Sequence, residues 1–234
     1  MNEHADHRQR MKDRFLENGL DIFDEHQVIE LLLFFGIPRR DTNVIAHRLI
    51  KRFGSLRDVL DAPYEELLTV DGIGEHAATL IKLSAELSRR YLISESLDTE
   101  RFDTVEKLGK FLINLFLGKR NEEVYLLTFN GKMEMLSCDK LADGLSNLVS
   151  FSVKPLIESA ILTHASGIVL AHNHPGGIAS PSGSDISLTD QLMYMCDQIS
   201  IPLIEHFVVA GNSYYPIIKR RDDEYDNMPQ LKRK

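Results

Sequence analysis

The hydrophobic period of this 234-residue chain changes once, near residue 100, and that change excludes a uniform architecture. Ahead of it, apolar residues recur three and four apart, the spacing of a helix face. "EHQVIELLLFFG" (25–36) is apolar almost all round and predicts a helix inside a helical cluster. "DTNVIAHRLIKRFG" (41–54) has Asp41 or Thr42 as its N-cap, puts Val44, Ile45, Leu49 and Phe53 at helical spacing, and stops at Gly54. "LLTVDGIGEHAATLIKLSAEL" reads as a short helix, a Gly-Ile-Gly turn and a longer helix to about Tyr91. After the change, a helix over about 104–118 is followed by "EEVYLLTFN", "GKMEMLSCD", "SGIVLAHNH" and "PLIEHFVVAG", which read as strands. Asn130-Gly131 is the expected hairpin turn between the first two. "VKPLIESAILTH" and "DISLTDQLMYMCDQIS" are helical, the second with Leu188, Leu192, Met195 and Ile199 on one face. The expected fold is α+β (mixed α/β). It has a helical domain over 1–93, a polar linker over 94–103 and a mixed sheet flanked by helices over 104–220. A polar tail covers 221–234.

Composition narrows the function classes. With 43% hydrophobic and 26% charged residues, the chain has the make-up of a soluble protein with a core. No apolar run is long enough to span a bilayer, and the first thirty residues lack the apolar stretch of a signal peptide, so no membrane partner is expected. Cys138 and Cys196 are too few for a disulfide framework or a thiolate zinc cluster. A reducing, cytoplasmic compartment is the expectation, and any metal must be held by His, Asp or Glu. A net charge of −8 argues against coating nucleic acid by bulk attraction. Residues 39–57 nonetheless carry Arg39, Arg40, Arg48, Lys51, Arg52 and Arg57 against only Asp41, either a local basic patch or a solvated helix face.

The densest chemistry lies in "LAHNHPGGIASPSGSD", 170–185. The apolar strand "GIVLA" delivers His172 and His174 to its C-terminal mouth, and residues i and i+2 of a strand point the same way. Asp185 follows at the start of the next helix. Two neutral imidazoles and a carboxylate suit Zn²⁺, one ion per chain, with a fourth position left for water. Zinc lowers the pKa of such a water to about 7. Fe²⁺ or Mn²⁺ are alternatives. The chain has neither a His-Glu-x-x-His helix nor a Pro-Cys-x-x-Cys pair, which excludes the zincins and the zinc nucleobase deaminases.

The run His172-x-His174-Pro175, then Ser182-x-x-Asp185, resembles the signature of the JAMM (MPN-plus) metalloproteases. "AHNHPGG…PSGSD…T" resembles the bacterial RadC family still more closely, over the entire chain and including "EHFVVAG" near its end. Gly176 stands where that family usually has Ser. The resemblance implies a deaminase-like sheet-and-helix layout and metal ligation by His172, His174 and Asp185. It also implies amide, peptide or isopeptide hydrolysis by activated water. An upstream glutamate acts as general base in such enzymes. In Glu122-Glu123-Val124-Tyr125 the aligned residue is Glu123, with Glu122 a solvent-facing neighbour. Ser182 is either an oxyanion donor or a cap of the following helix. Asn173 points to the opposite face and is structural. His206 is a partner of the site or a core histidine satisfied by backbone. His164 suits a helix end, and His47 and His76 belong to the helical half.

"LLTVDGIGEHAATLI" resembles a helix-hairpin-helix, with Leu67, Val70 and Ile73 packing inward and Gly72 and Gly74 permitting a tight turn. Backbone N–H groups at the start of its second helix could meet a DNA phosphate, with Arg39, Arg40, Lys51 and Arg52 as helpers. Glu75 and His76 occupy the place where a DNA binder gains from Lys or Arg, so DNA docking and protein packing stay open. Three functions follow: a zinc hydrolase, a DNA-repair accessory protein or metal-dependent nuclease, and a non-catalytic interaction module. Homo-oligomers through sheet edges are open as well.

Overall fold

Helical spacing in the first hundred residues becomes six helices: α1 (Glu3–Asn18), α2 (Glu25–Gly36), α3 (Asn43–Phe53), α4 (Leu56–Asp61), α5 (Tyr64–Leu68) and α6 (Glu75–Leu97). The computed structural model describes residues 3–97, 101–143 and 153–219 and divides into two units, one ending at Arg90 and the next starting at Tyr91. The tail expected over 221–234 lies outside the described residues. In the first unit α2 through α6 share one core that includes Ile29, Leu33, Ile45, Leu49, Val59, Leu67, Ala78 and Ile81. Burial at about 1.5–3 kcal/mol per large apolar side chain sustains helices as short as the five-residue α5, which would not persist alone. Phe35 and Val44, expected inside, are 69% and 47% exposed. Ala46 instead completes the buried stripe of α3 with Ile45 and Leu49. Thr42 is the N-cap of α3, and Asp41 shares the task by accepting the Asn43 N–H at 2.9 Å. In the turn between α5 and α6, Gly72 has φ +98°, and a Cβ there would lie 2.7 Å from Ile45 Cδ1, so only glycine fits.

The linker expected over 94–103 is helical to Leu97. Within it, the hydroxyls of Ser94 and Ser96 are folded back onto the helix, donating to the carbonyls of Tyr91 and Leu92 at 2.8 and 2.9 Å. Phe102, at the other end of that stretch, is buried in the core of the second unit.

That unit begins with α7 (Val105–Phe116), capped by Thr104. Its strands are β1 (Glu123–Phe129), β2 (Met135–Asp143), β3 (Gly167–Asn173), β4 (Leu203–Ala210) and the short β5 (Ser213–Pro216), which the sequence pattern did not announce. They form one mixed sheet in the order β2-β1-β3-β4-β5. β1 is antiparallel to β2 and β3, while β3 and β4 run parallel and are joined through α9 (Gly183–Gln198). Both faces are covered, so all seven residues of β3 are buried. One face packs on α7 through Leu127, Phe129, Val169, Phe111 and Phe207. The other packs on α8 (Lys154–Leu162) and α9 through Val124, Leu126, Leu170, Leu156 and Leu192.

Two local expectations change. The hairpin between β1 and β2 closes over residues 130–134 rather than over Asn130-Gly131. The Asn130 side-chain oxygen accepts the N–H groups of Lys132 and Glu134, and Met133 takes φ 62°. On α9 Met195 is 40% exposed, while Cys196 is fully buried with Leu188 and Leu192. The helix turns its Asp185-Leu188-Thr189-Leu192-Cys196 stripe to the sheet. Leu192→Ala should therefore cost about 2–5 kcal/mol in urea denaturation, whereas Met195→Ala should stay within about 0.5 kcal/mol. Equal losses would contradict this helix orientation.

Candidate metal centre

The parallel β3–α9–β4 connection brings the C-terminal end of β3 to the first turn of α9. His172 is the penultimate residue of the buried strand, His174 follows its end, and Asp185 occupies the first turn of the helix. His172 Nε2 lies 3.1 Å from His174 Nε2 and 3.5 Å from Asp185 Oδ1, and His174 Nε2 is 3.7 Å from Asp185 Oδ2. His172 and Asp185 are buried, while His174 opens to solvent. His174 Nδ1 faces the Ile178 carbonyl at 3.3 Å. A carbonyl only accepts, so a neutral His174 carries its proton on Nδ1 and turns a lone pair on Nε2 inward. Lone pairs and a carboxylate this close repel unless positive charge stands among them. The donor set is therefore compatible with a metal ion, and imidazole with carboxylate is a ligand set used by zinc and its first-row neighbours.

Asp185 shows how finely this charge is held. Burial alone would raise its pKa. Contact with the His172 ring, together with the N–H and hydroxyl of Ser182, outweighs that and holds the carboxyl well below the usual range. Ser182 is the N-cap of α9: its N–H and Oγ both donate to Asp185 Oδ2 at 2.7 Å, and Oγ accepts the Asp185 N–H. The capping reading of Ser182 is thus realised in the geometry. In the loop between, Gly176 adopts φ +69°, a left-handed conformation that glycine takes without strain.

Glu123 is not brought to this group. Val124 stands directly opposite His172 in the β1–β3 register. Opposed residues share a face, so Glu123 belongs with Tyr125 on the α7 side. Its buried carboxylate accepts from Tyr125 OH at 3.0 Å and meets Lys140 and Lys119 at 3.4 and 3.6 Å. The expectation that Glu123 faces the His172 group is therefore not met by this register. Residue 122, two before Val124, has the parity of the His172 face and is partly buried. Asn173 pins this corner from the opposite face: its Oδ1 accepts the Glu123 N–H at 2.7 Å and its Nδ2 donates to the Asn121 carbonyl at 3.0 Å. The backbone on both sides of Glu122 is fixed by the residue between the two histidines.

His206 is fully buried and satisfied by side chains rather than by backbone. Its Nε2 meets His172 Nδ1 at 2.9 Å and its Nδ1 meets Thr189 Oγ1 at 2.7 Å. Burial first, then the neighbouring His172, push its pKa well below the ordinary value.

Comparison with known proteins assigns both parts of the chain to families. Residues 102–222 match the model of the RadC-like JAB domain, and residues 3–79 match the UPF0758 N-terminal domain. The chain belongs to the RadC-like JAB domain family. A UPF0758 protein of Fusobacterium nucleatum is 32% identical over 91% of this chain and 95% of its own length. One from Dechloromonas aromatica is 31% identical over 88% of this chain and 91% of its own length. The RadC-like domain covers the whole β-sheet and every residue of the His172, His174 and Asp185 group. No helix among the described residues is long and apolar enough to cross a membrane.

The basic residues of the helix-hairpin-helix expectation lie in the UPF0758 N-terminal part. Arg39 and Arg40 lie between α2 and α3, Lys51 and Arg52 on the last turn of α3, all four exposed. Arg48 is tied at 2.7 Å to Asp71, beside Gly72, and Gly74 precedes α6 with open space around it. In the RadC-like domain, burial and then the charge of Asp139 push the Cys138 thiol up to about 12, and burial raises Cys196 as well. A thiol far above neutrality holds little thiolate. Neither thiol should react with Ellman's reagent at about pH 8 in the native protein, and both should react in denaturant. A native Cys138 reacting as fast as free cysteine would contradict its packing.

Proposed function

We propose that this chain is a metal-dependent hydrolase of the JAMM type that cleaves amide bonds in a peptide or isopeptide. His172, His174 and Asp185 hold one zinc ion, and Glu122 is the general base. The observation that carries the reading is the convergence of two imidazoles and a buried carboxylate, their ligand atoms within 4.8 Å of one another. A bound zinc ion supplies a Lewis acid that acidifies water and polarises a carbonyl.

The residues divide the remaining work. Glu122, whose flanking backbone is clamped by Asn173 and whose position in the chain has the parity of the His172 face, is our candidate to take the proton of the attacking water and return it to the leaving amine. Glu123, engaged by Tyr125, Lys119 and Lys140 on the other face, is a structural neighbour. Ser182 orients Asp185 through its N–H, and rotation of its exposed hydroxyl lets it donate to an oxyanion on the substrate. His174, at the solvent side, borders the way in. The family and the ligand set support hydrolysis; the peptide class rests on the JAMM resemblance.

Protein purified without added metal or an affinity tag should hold one zinc per chain, and the His172→Ala/His174→Ala variant should hold none. Cleavage of a peptide mixture, read by mass spectrometry of new termini, should fall about 10²–10⁴-fold in Glu122→Gln with zinc retained. It should change only a few-fold in Glu123→Gln. Equal zinc in the double histidine variant would overturn the site. Wild-type cleavage by Glu122→Gln beside loss in Glu123→Gln would return the base to Glu123.

A further inference from the structure

We propose that Thr189 and His206 are positioning residues that lock His172 in the one tautomer able to bind a metal through Nε2, by a hydrogen-bond relay anchored on the backbone of Asp185. This deepens the metal reading of the site and rests on it.

The relay has one direction, and its far end sets that direction. Thr189 lies four residues after Asp185 on α9, so its hydroxyl reaches the Asp185 carbonyl, at 2.6 Å. A carbonyl only accepts, so the single hydroxyl hydrogen is committed there. Toward His206 Nδ1, 2.7 Å away, Thr189 Oγ1 can then only accept, and the proton lies on Nδ1. His206 is fully buried, and among the described residues it has no carboxylate in hydrogen-bond contact, so it holds one proton rather than two. Its Nε2 is consequently an acceptor and takes the Nδ1–H of His172 at 2.9 Å. A neutral His172 is left with a lone pair on Nε2, the atom 3.1 Å from His174 Nε2 and 3.5 Å from Asp185 Oδ1.

Free imidazole favours neither nitrogen strongly, and the wrong tautomer would present an N–H to the metal position. Partners that fix the non-ligating nitrogen are typically worth about 10–100-fold in metal affinity. Asp185 thereby enters the centre twice, through its carboxylate and through its own carbonyl by way of Thr189, His206 and His172. A shift of the first turn of α9 would disturb both at once.

Imidazole ¹⁵N–¹H correlation spectra of metal-free protein at about pH 9, above the ordinary imidazole range, report which nitrogen of His172 holds the proton. Wild type and Thr189→Ser are expected to show one His172 tautomer, protonated on Nδ1. Thr189→Val, of similar shape without the hydroxyl, should show both tautomers and bind zinc about 10–100-fold more weakly in chelator competition. A wild-type His172 protonated on Nε2 overturns the relay, even if Thr189→Val does not fold. Weaker zinc binding by Thr189→Val with the tautomer unchanged also overturns it, since that leaves Thr189 a packing role only. The expected tautomer in a wild-type protein that takes up no zinc upholds the relay and overturns the metal reading instead.

Discussion

The pairing of β1 with β3 is the constraint on which the rest of the centre depends. With Val124 opposite His172, every assignment of side chains to the two faces of the sheet follows by alternation. A slip of one residue would carry His172 and Val124 to opposite faces and bring Glu123 across. Asn173 guards against that slip by clamping the Asn121 carbonyl and the Glu123 N–H from the next strand. The short His-Asn-His run thus holds two imidazoles on one face and the register lock on the other. That division of labour needs a strand buried on both sides, which α7 supplies on one face and α8 with α9 on the other.

Burying this much polarity has a cost, and the local structure offsets it. An ionised carboxylate in a protein interior carries a penalty of several kcal/mol. Asp185 recovers it from the Ser182 N–H and hydroxyl, from the N-terminus of α9 and from positive charge beside the imidazoles. The centre is accordingly preorganised for a cation rather than for a neutral ligand, and the N-cap that starts α9 also aims its carboxylate.

Much of this was legible in the sequence. The break in hydrophobic period marked the passage from helices to sheet, and the His172-x-His174 spacing on a strand fixed two side chains on one face. Asp185 was legible as the carboxylate that completes a His/His/Asp set at a helix start; that it also closes a capping box with Ser182 emerged only in the structure. What failed were choices of phase. Glu122 and Glu123 differ by one residue, and the sequence alone does not show where β1 comes into register. Met195 and Cys196 likewise differ by one step on α9, and the rotation of the helix against the sheet buries Cys196 and leaves Met195 exposed. The first part of the expected linker is helical because serine and acidic residues resemble a loop only in composition, and Ser94 and Ser96 can satisfy their hydroxyls on the helix that carries them. His206 could be suspected but not placed, since its contact with His172 depends on the parallel pairing of β3 and β4. Thr189 gave one local hint, its four-residue spacing from Asp185.

The most direct test of the central claim is X-ray absorption at the metal edge of the purified, metal-loaded protein. Two imidazole nitrogens at about 2.0–2.1 Å and oxygen ligands at about 2.0–2.2 Å, in a four-coordinate shell, are the result the account predicts. A shell containing sulfur at about 2.3 Å, or one unchanged in the His172→Ala/His174→Ala variant, would contradict it.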